Sequence, residues 1–434
     1  MSLLKYKEYK DSGVEWLGQV PKHWEISRIR YLTDCLDGKR IPLNSEERST
    51  RIGEVPYWGA NSIVGYVDTH LFDEELVLLG EDGAPFFDRN KPVAFLSTGP
   101  VWPNNHIHVL KPKLKELSKY LVYALNVTDY ANFIDGSTRD KLTQSEMNSI
   151  QLALPLFNER NSIVKFLDYE TTKIDSLIAE QEKLIELLKE KRQAIISHAV
   201  TKGLNPDVEM KDSGVEWLGI VPKTWIVTKL KYVLRKFFSG GTPDTDTAYY
   251  WCDNKSSEAI PWVSISDITR NNIIQETEKS ITHNGLESKN LEIIPKNVLL
   301  YSIYASLGKV AVTEIPVAIN QAILGLETEK SICSTNYLKY WLLNSEKNIS
   351  FFSSNNTQNN LNASKVKGFY ILKPNLTEQA AIASFLDHET AKIDELTKET
   401  FKVIELLKER RSALISAAVT GQIDVRNFVP KEAA

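Results

Sequence analysis

The chain has 434 residues, enough for two to four domains, and its 42% hydrophobic and 25% charged residues are the proportions of an ordinary globular protein. A net charge of −4 excludes a uniformly basic nucleic-acid binder, and three scattered cysteines exclude a disulfide framework. No stretch of about 18 apolar residues is present, which excludes a membrane-spanning helix. The opening MSLLKYKEYKDSG has no apolar run and does not read as a signal peptide, so a cytoplasmic location with reduced thiols is expected.

The first element is a leader, KDSGVEWLG, from Lys10 to Gly18, and the same nine letters return from Lys211 to Gly219. Each copy continues to a Val-Pro-Lys-x-Trp, so Trp16 and Trp24 match Trp217 and Trp225. Between leaders, the strand-like runs NSIVGYV, EELVLLG, PVAFLS and HIHVLKP are followed by a helical LSKYLVYALN. Then comes FLDYETTKIDSLIAEQEKLIELLKEKRQAIISHAVT, Phe166 to Thr201, which recurs as Phe385 to Thr420 with 24 of 36 positions identical. After the second leader, AIPWVSISDI, NVLLYSIYASLGKVAVT and AINQAILGLET read as strands, and STNYLKYWLLN as a helix.

The plan is therefore two like frames around unlike contents. It divides into 1–158 (leader and first variable domain), 159–203 (first long helix), 204–377 (leader and second variable domain), 378–421 (second long helix) and a 422–434 tail. Each repeated segment lacks Pro and Gly for about 40 residues, which at ~1.5 Å per residue makes a helix roughly 55–60 Å long. Ile174, Ile178, Ile185, Leu188 and Ile195 mark an apolar stripe on the first, and Ile393, Leu396, Ile404, Leu407 and Leu414 on the second. Burying both stripes together gives an antiparallel two-helix coiled coil. The fold class is α+β: two α/β domains separated by two long paired helices, with a pseudo-two-fold internal repeat.

Catalytic signatures do not form. SLGKVA lacks the first glycine and the final hydroxyl of a phosphate loop, and no G-x-G-x-x-G follows a strand. His106 and His108 alternate on one predicted strand without a neighbouring cysteine or acid pair, so a strand face is the better reading than a metal site. No metal is expected, and no enzyme activity from this chain.

Binding leaves clearer traces. From Trp217 to Pro243 there are five bases and no acid, interleaved with aromatic residues. Lys229 and Lys231, like Arg28 and Arg30, would share strand faces suited to phosphate. Polar loops at 38–51, 102–106, 136–141 and 353–360 have the composition of base readers, because Asn and Gln can pair bidentately with adenine and Arg with guanine. Candidates for DNA contact there are Lys39, Arg40, Arg48, Arg51, Asn104, Asn105, Arg139, Lys141, Asn356, Gln358 and Asn359; Thr242, Ser264 and Lys309 join them from the second domain. Ordinary polar turns have the same composition.

Taken together, the paired leaders DSGVEWLGxVPKxW, the paired FLDxET…KID…IELLKE helices, and segments such as GANSIVGYVD, NNHIHVLKP and INQAILGL resemble the specificity subunit of type I restriction–modification systems over essentially the full chain. The resemblance implies that each variable domain reads half of a bipartite double-stranded DNA site while the helices set the gap. It also implies docking of two methyltransferase subunits and of restriction/translocase subunits, with the repeated Trp16, Trp24, Trp217 and Trp225 as docking candidates. S-adenosylmethionine, ATP and Mg would then belong to the partners, and this chain would hold no cofactor. The alternative from another class is a duplicated adaptor that binds proteins or glycans without DNA.

Overall fold

The computed structural model describes residues 4–134, 140–304, 306–345 and 361–430. They form two compact units, Met1–Lys183 with Thr400–Ala434, and Leu184–Glu399. Chain order and unit membership differ: the second unit is one continuous stretch, whereas the first joins two stretches on either side of it.

The leader's spelling is turn chemistry. Tyr9–Asp11 pairs antiparallel with Gln19–Pro21, and Met210–Asp212 with Ile220–Pro222. Asp11 Oδ1 accepts from the Gly13 amide at 2.9 Å, and Asp212 does the same for Gly214. Gly13, Gly18, Gly214 and Gly219 all have φ between 57° and 70°, a region that penalises a Cβ. The nine-letter repeat is thus one loop built twice.

Trp24 and Trp225, offered above as docking residues, are both fully buried. This corrects the expectation, because neither ring presents a face to a partner. Trp24 belongs to the same core as Ile415, Ala418 and Val419 of the second helix's end, and Trp225 to the same core as Ile196, Ala199 and Val200 of the first. Each leader therefore caps the end of a long helix within its own unit. Trp225 Nε1 donates to Glu378 at 3.0 Å. In the first unit the matching carboxylate, Glu159, turns instead to His23 at 2.9 Å, where the second copy has Thr224. Trp24 Nε1 is then buried without a partner among the described residues.

The variable regions share a topology that their sequences hide. In the first unit, strands Thr33–Cys35, Ile107–Pro112, Leu76–Gly80 and Ala94–Ser97 lie side by side in that order, all antiparallel. The second unit repeats the order with Leu234–Ser239, Ile323–Thr328, Leu299–Ser302 and Val310–Thr313, adding Ile273–Ile274 at the edge. A smaller sheet follows the same rule. Val55–Trp58 pairs parallel with Pro100–Pro103, and Ile260–Val263 pairs parallel with Ala318–Ile319. Ser118–Asn126 and Thr335–Ser345 are the predicted short helices.

The first long helix runs Phe157–Lys202 and the second Leu376–Val419, and they pack as an antiparallel pair. Arg411 meets Asp175 at 2.8 Å in the first unit, and Arg192 meets Asp394 at 2.9 Å in the second. Both ion pairs are partly solvated, so Arg411→Ala should cost no more than about 1 kcal/mol in a denaturant titration. The pairing rests on apolar residues instead. Ile174, Ile185, Leu188, Ile393 and Ile404 are buried, with Ile178, Ile195, Leu407 and Leu414 partly so. Leu396 is a correction: it is 51% exposed, one position off the stripe. Its repeat equivalent is Leu177, also exposed, while Ile178 is matched by the half-buried Thr397. Leu177, Leu184 and Leu187 on one helix and Leu396, Val403 and Leu406 on the other form matching exposed apolar positions.

Candidate nucleic-acid interface

In the first unit the 38–51 loop is stitched to the small sheet by two aromatic rings. Tyr57, on Val55–Trp58, donates its hydroxyl to the Leu43 carbonyl at 3.3 Å and accepts from the Leu43 amide at 3.1 Å. Trp102, on the parallel neighbour, donates Nε1 to the Ile41 carbonyl at 2.7 Å. Ser45–Thr50 is a short helix because Asn44 and Glu47 close a reciprocal capping box. The helix presents Arg48 over the face of Tyr57 (5.2 Å to the centroid), and Arg51 lies over Trp102 at 5.1 Å. A concavity of about 560 Å³ results, lined by Arg48, Tyr57, Asn61, Val64, Asn105 and His106 among others.

Several sequence candidates are absorbed into structure. Arg40 Nη1 sits 2.6 Å from Glu81 Oε2 and 2.7 Å from the Ile107 carbonyl, with Asp37 at 3.6 Å, so it is an internal cation and not a free hand for DNA. Asn104 is buried, and its Oδ1 accepts from the His106 amide at 2.8 Å. Ser264 begins a helix, Ile265–Arg270, where a strand was expected; its amide and hydroxyl both donate to Asp267. Thr242 donates its hydroxyl to Gln321. Lys309 is half-buried in a hairpin, its amide donating to Ser302 Oγ at 2.9 Å. The expected basic strand faces do not form: strands end at Arg28 and Lys229, and Arg30 and Lys231 fall in the helical turns that follow. Arg28, Arg30, Lys39, Asn105, Lys141, Lys229 and Lys231 are exposed, and Lys141 lies 3.5 Å from Glu81. Trp16 and Trp217 are half-buried against the cores of their units. Arg139, Asn356, Gln358 and Asn359 lie outside the described residues.

His106 and His108 do not share a face. His106 precedes its strand and contacts Asp82 at 3.2 Å, whereas His108 is buried. Its Nδ1 is 2.6 Å from Asp37 and its Nε2 2.9 Å from the Leu142 carbonyl. Asp37, Glu81 and His108 are spaced closely enough to hold a cation, but the Arg40 guanidinium already bridges the two carboxylates. Burial pushes the Asp37 carboxyl up. The His108 ring, the Val109 amide and Arg40 outweigh it, so its pKa falls below the ordinary 3.8. Burial raises the Cys35 thiol to about 11 and Cys333 to about 12, and Cys252 shifts the same way. All three thiols are thus protonated, weak nucleophiles near neutrality.

Sequence reasoning missed a correspondence between the units. After Pro103 and after Ile319 the chain makes the same turn. The Asn104 amide donates to the Trp58 carbonyl at 3.0 Å, and the Asn320 amide to Val263 at 3.1 Å. Asn320 Oδ1 accepts from Ala322 as Asn104 Oδ1 does from His106. Each turn leaves an exposed amide side chain, Asn105 or Gln321, at its tip. The words NNHI and NQAI carried this signal, but only topology shows that they are equivalent.

A family model described as the type I restriction modification DNA specificity domain matches twice, over residues 21–187 and 222–406. A Methanocaldococcus jannaschii protein named as the specificity subunit of type I restriction enzyme MjaX is 23% identical over 97% of this chain and 98% of its own. A Haemophilus influenzae protein named as a type I restriction enzyme specificity subunit is 32% identical over 32% of this chain, which spans 34% of that relative. Among solved structures, a chain from work on complex assembly and conformational transition of the type I R-M system matches with a TM-score of 0.68. It covers 92% of this chain and 98% of its own at 15% identity, a likeness of fold. Among the described residues no helix is long and apolar enough to cross a membrane.

Proposed function

Because the chain belongs to the type I restriction–modification DNA specificity family, we propose that each of its two variable regions reads one half of a split duplex DNA site. The long helices set the spacing of the halves and offer partner subunits a repeated landing surface. Methyltransferase subunits carry S-adenosylmethionine, and restriction/translocase subunits carry ATP and Mg. This chain supplies recognition without catalysis, in the cytoplasm. The observation that carries the reading is the pairing of one topology with two unrelated sequences, because a common scaffold with divergent loops is what two readers of different sequences need. The exposed apolar positions repeated on the helices, Leu177, Leu184 and Leu187 matched by Leu396, Val403 and Leu406, support docking, since an apolar stripe that recurs at equal spacing suits two copies of one partner.

Modified-base sequencing of host DNA, with the gene intact and deleted, tests this. Deletion should reduce methylation at one split motif to background. Exchanging residues 33–149 for those of a relative should change one half of that motif and leave the other. An unchanged methylome in cells that express the methyltransferase would favour a protein- or glycan-binding adaptor.

A further inference from the structure

We infer that Arg48 selects a guanine in the half-site read by the first unit, an assignment that rests on the DNA-recognition reading above. Three observations converge on this side chain. Arg48 lines the 560 Å³ concavity at the mouth of the small sheet. Its guanidinium lies over Tyr57, whose own hydroxyl accepts from the Leu43 amide and donates to the Leu43 carbonyl, so the planar fork is held in advance of binding. It also makes no ion pair among the described residues, unlike its neighbours: Arg40 is neutralised by Glu81 and Asp37, and Arg51 faces Asp68 at 3.6 Å. A guanidinium stacked on a ring, without an ion pair among the described residues and opening into a polar hollow that Asp82 also lines, is matched to the paired O6 and N7 acceptors of guanine in the major groove.

Comparison of the units separates selection from grip. The Asn105 turn is duplicated by the Gln321 turn, so what it touches must be common to both half-sites. The phosphodiester backbone is common, and an exposed amide NH₂ can donate to it. Arg48 is not duplicated. The loop occupying its place in the second unit, 239–250, contains no arginine and carries Asp244 and Asp246. The element that differs between the readers is the one able to discriminate.

The test uses the whole complex in cells and compares the methylomes of wild type, Arg48→Ala, Arg48→Lys and Asn105→Ala, with thermal melting to verify folding. Wild type should require guanine at one position of one half-site. Arg48→Ala and Arg48→Lys should lower the preference for guanine there by roughly 5- to 150-fold, since lysine keeps the charge but loses the fork. The other half-site should stay as it was. Asn105→Ala should weaken methylation evenly across sequences. The assignment is overturned if folded Arg48 variants keep the wild-type motif, or if the other half-site changes. A wild-type methylome with no split motif dependent on this chain would instead defeat the DNA-recognition reading itself.

Discussion

Gly421→Val should destabilise the first unit by about 2–5 kcal/mol and leave the second intact. Gly421 ends the second long helix at φ 73°, where a β-branched residue is strained. A Cβ there would lie 2.3 Å from Pro21 Cδ and 3.2 Å from the Trp24 ring. Neither neighbour can yield: Pro21 and Trp24 are buried, and Tyr9 donates its hydroxyl to the Gly421 carbonyl at 3.1 Å. Strain and overpacking therefore add. Hydrogen exchange by mass spectrometry would show lost protection in peptides around Trp24 and Ile415–Val425, with peptides around Trp225 unaffected. Equal protection in mutant and wild type would refute the account. The equivalent Gly203→Val should be milder in steric terms, since the nearest atom to its Cβ, on Trp225, is 3.2 Å away.

His108→Ala should cost about 3 kcal/mol, because it strips the half-buried Asp37 carboxylate of its closest partner and leaves it to Arg40, while Glu81 keeps Arg40 and Lys141. The pH dependence has a definite sign. Asp37 titrates below its ordinary 3.8 in the folded chain, so its contribution is complete above that value and is lost as pH falls through the depressed pKa. Removing the ring takes away the main stabiliser of the Asp37 carboxylate, and acid unfolding of the first unit should begin at higher pH. Urea titrations followed between pH 3 and 7 would measure this; parallel acid limbs in mutant and wild type would count against it.

What could be read from the sequence was whatever repeats or has long period. The helices are each followed by a glycine, lack internal prolines and are spelled twice, so their existence and pairing were legible. Their exact face was less so. Leucines crowd both sides of the stripe, and Leu396 fits a 3-and-4 spacing from Ile393 while lying outside the contact. Repetition of Trp24 and Trp225 suggested a docking surface; a shared core produces the same repetition. Ser264 sits in VSISDI, whose alternation imitates a strand until Asp267 closes a capping box. Arg40 looked like any loop arginine, because its partner Glu81 is 41 positions away. Arg48 and Arg40 lie eight positions apart in one polar loop, and only long-range folding separates the one held by Asp37 and Glu81 from the one that has no ion pair among the described residues.

The split composition of the first unit bears on the order in which the protein can be made. The second unit is encoded without interruption, so its core is complete once residue 399 has been synthesised. The first unit begins the chain yet closes last, because Ile415, Ala418, Val419, Ile423 and Val425 belong to the same core as Trp24 and Tyr120. Until those residues emerge, the first unit has an open face, and a ribosome that stops between residues 399 and 415 releases a protein whose second unit is finished and whose first unit is not.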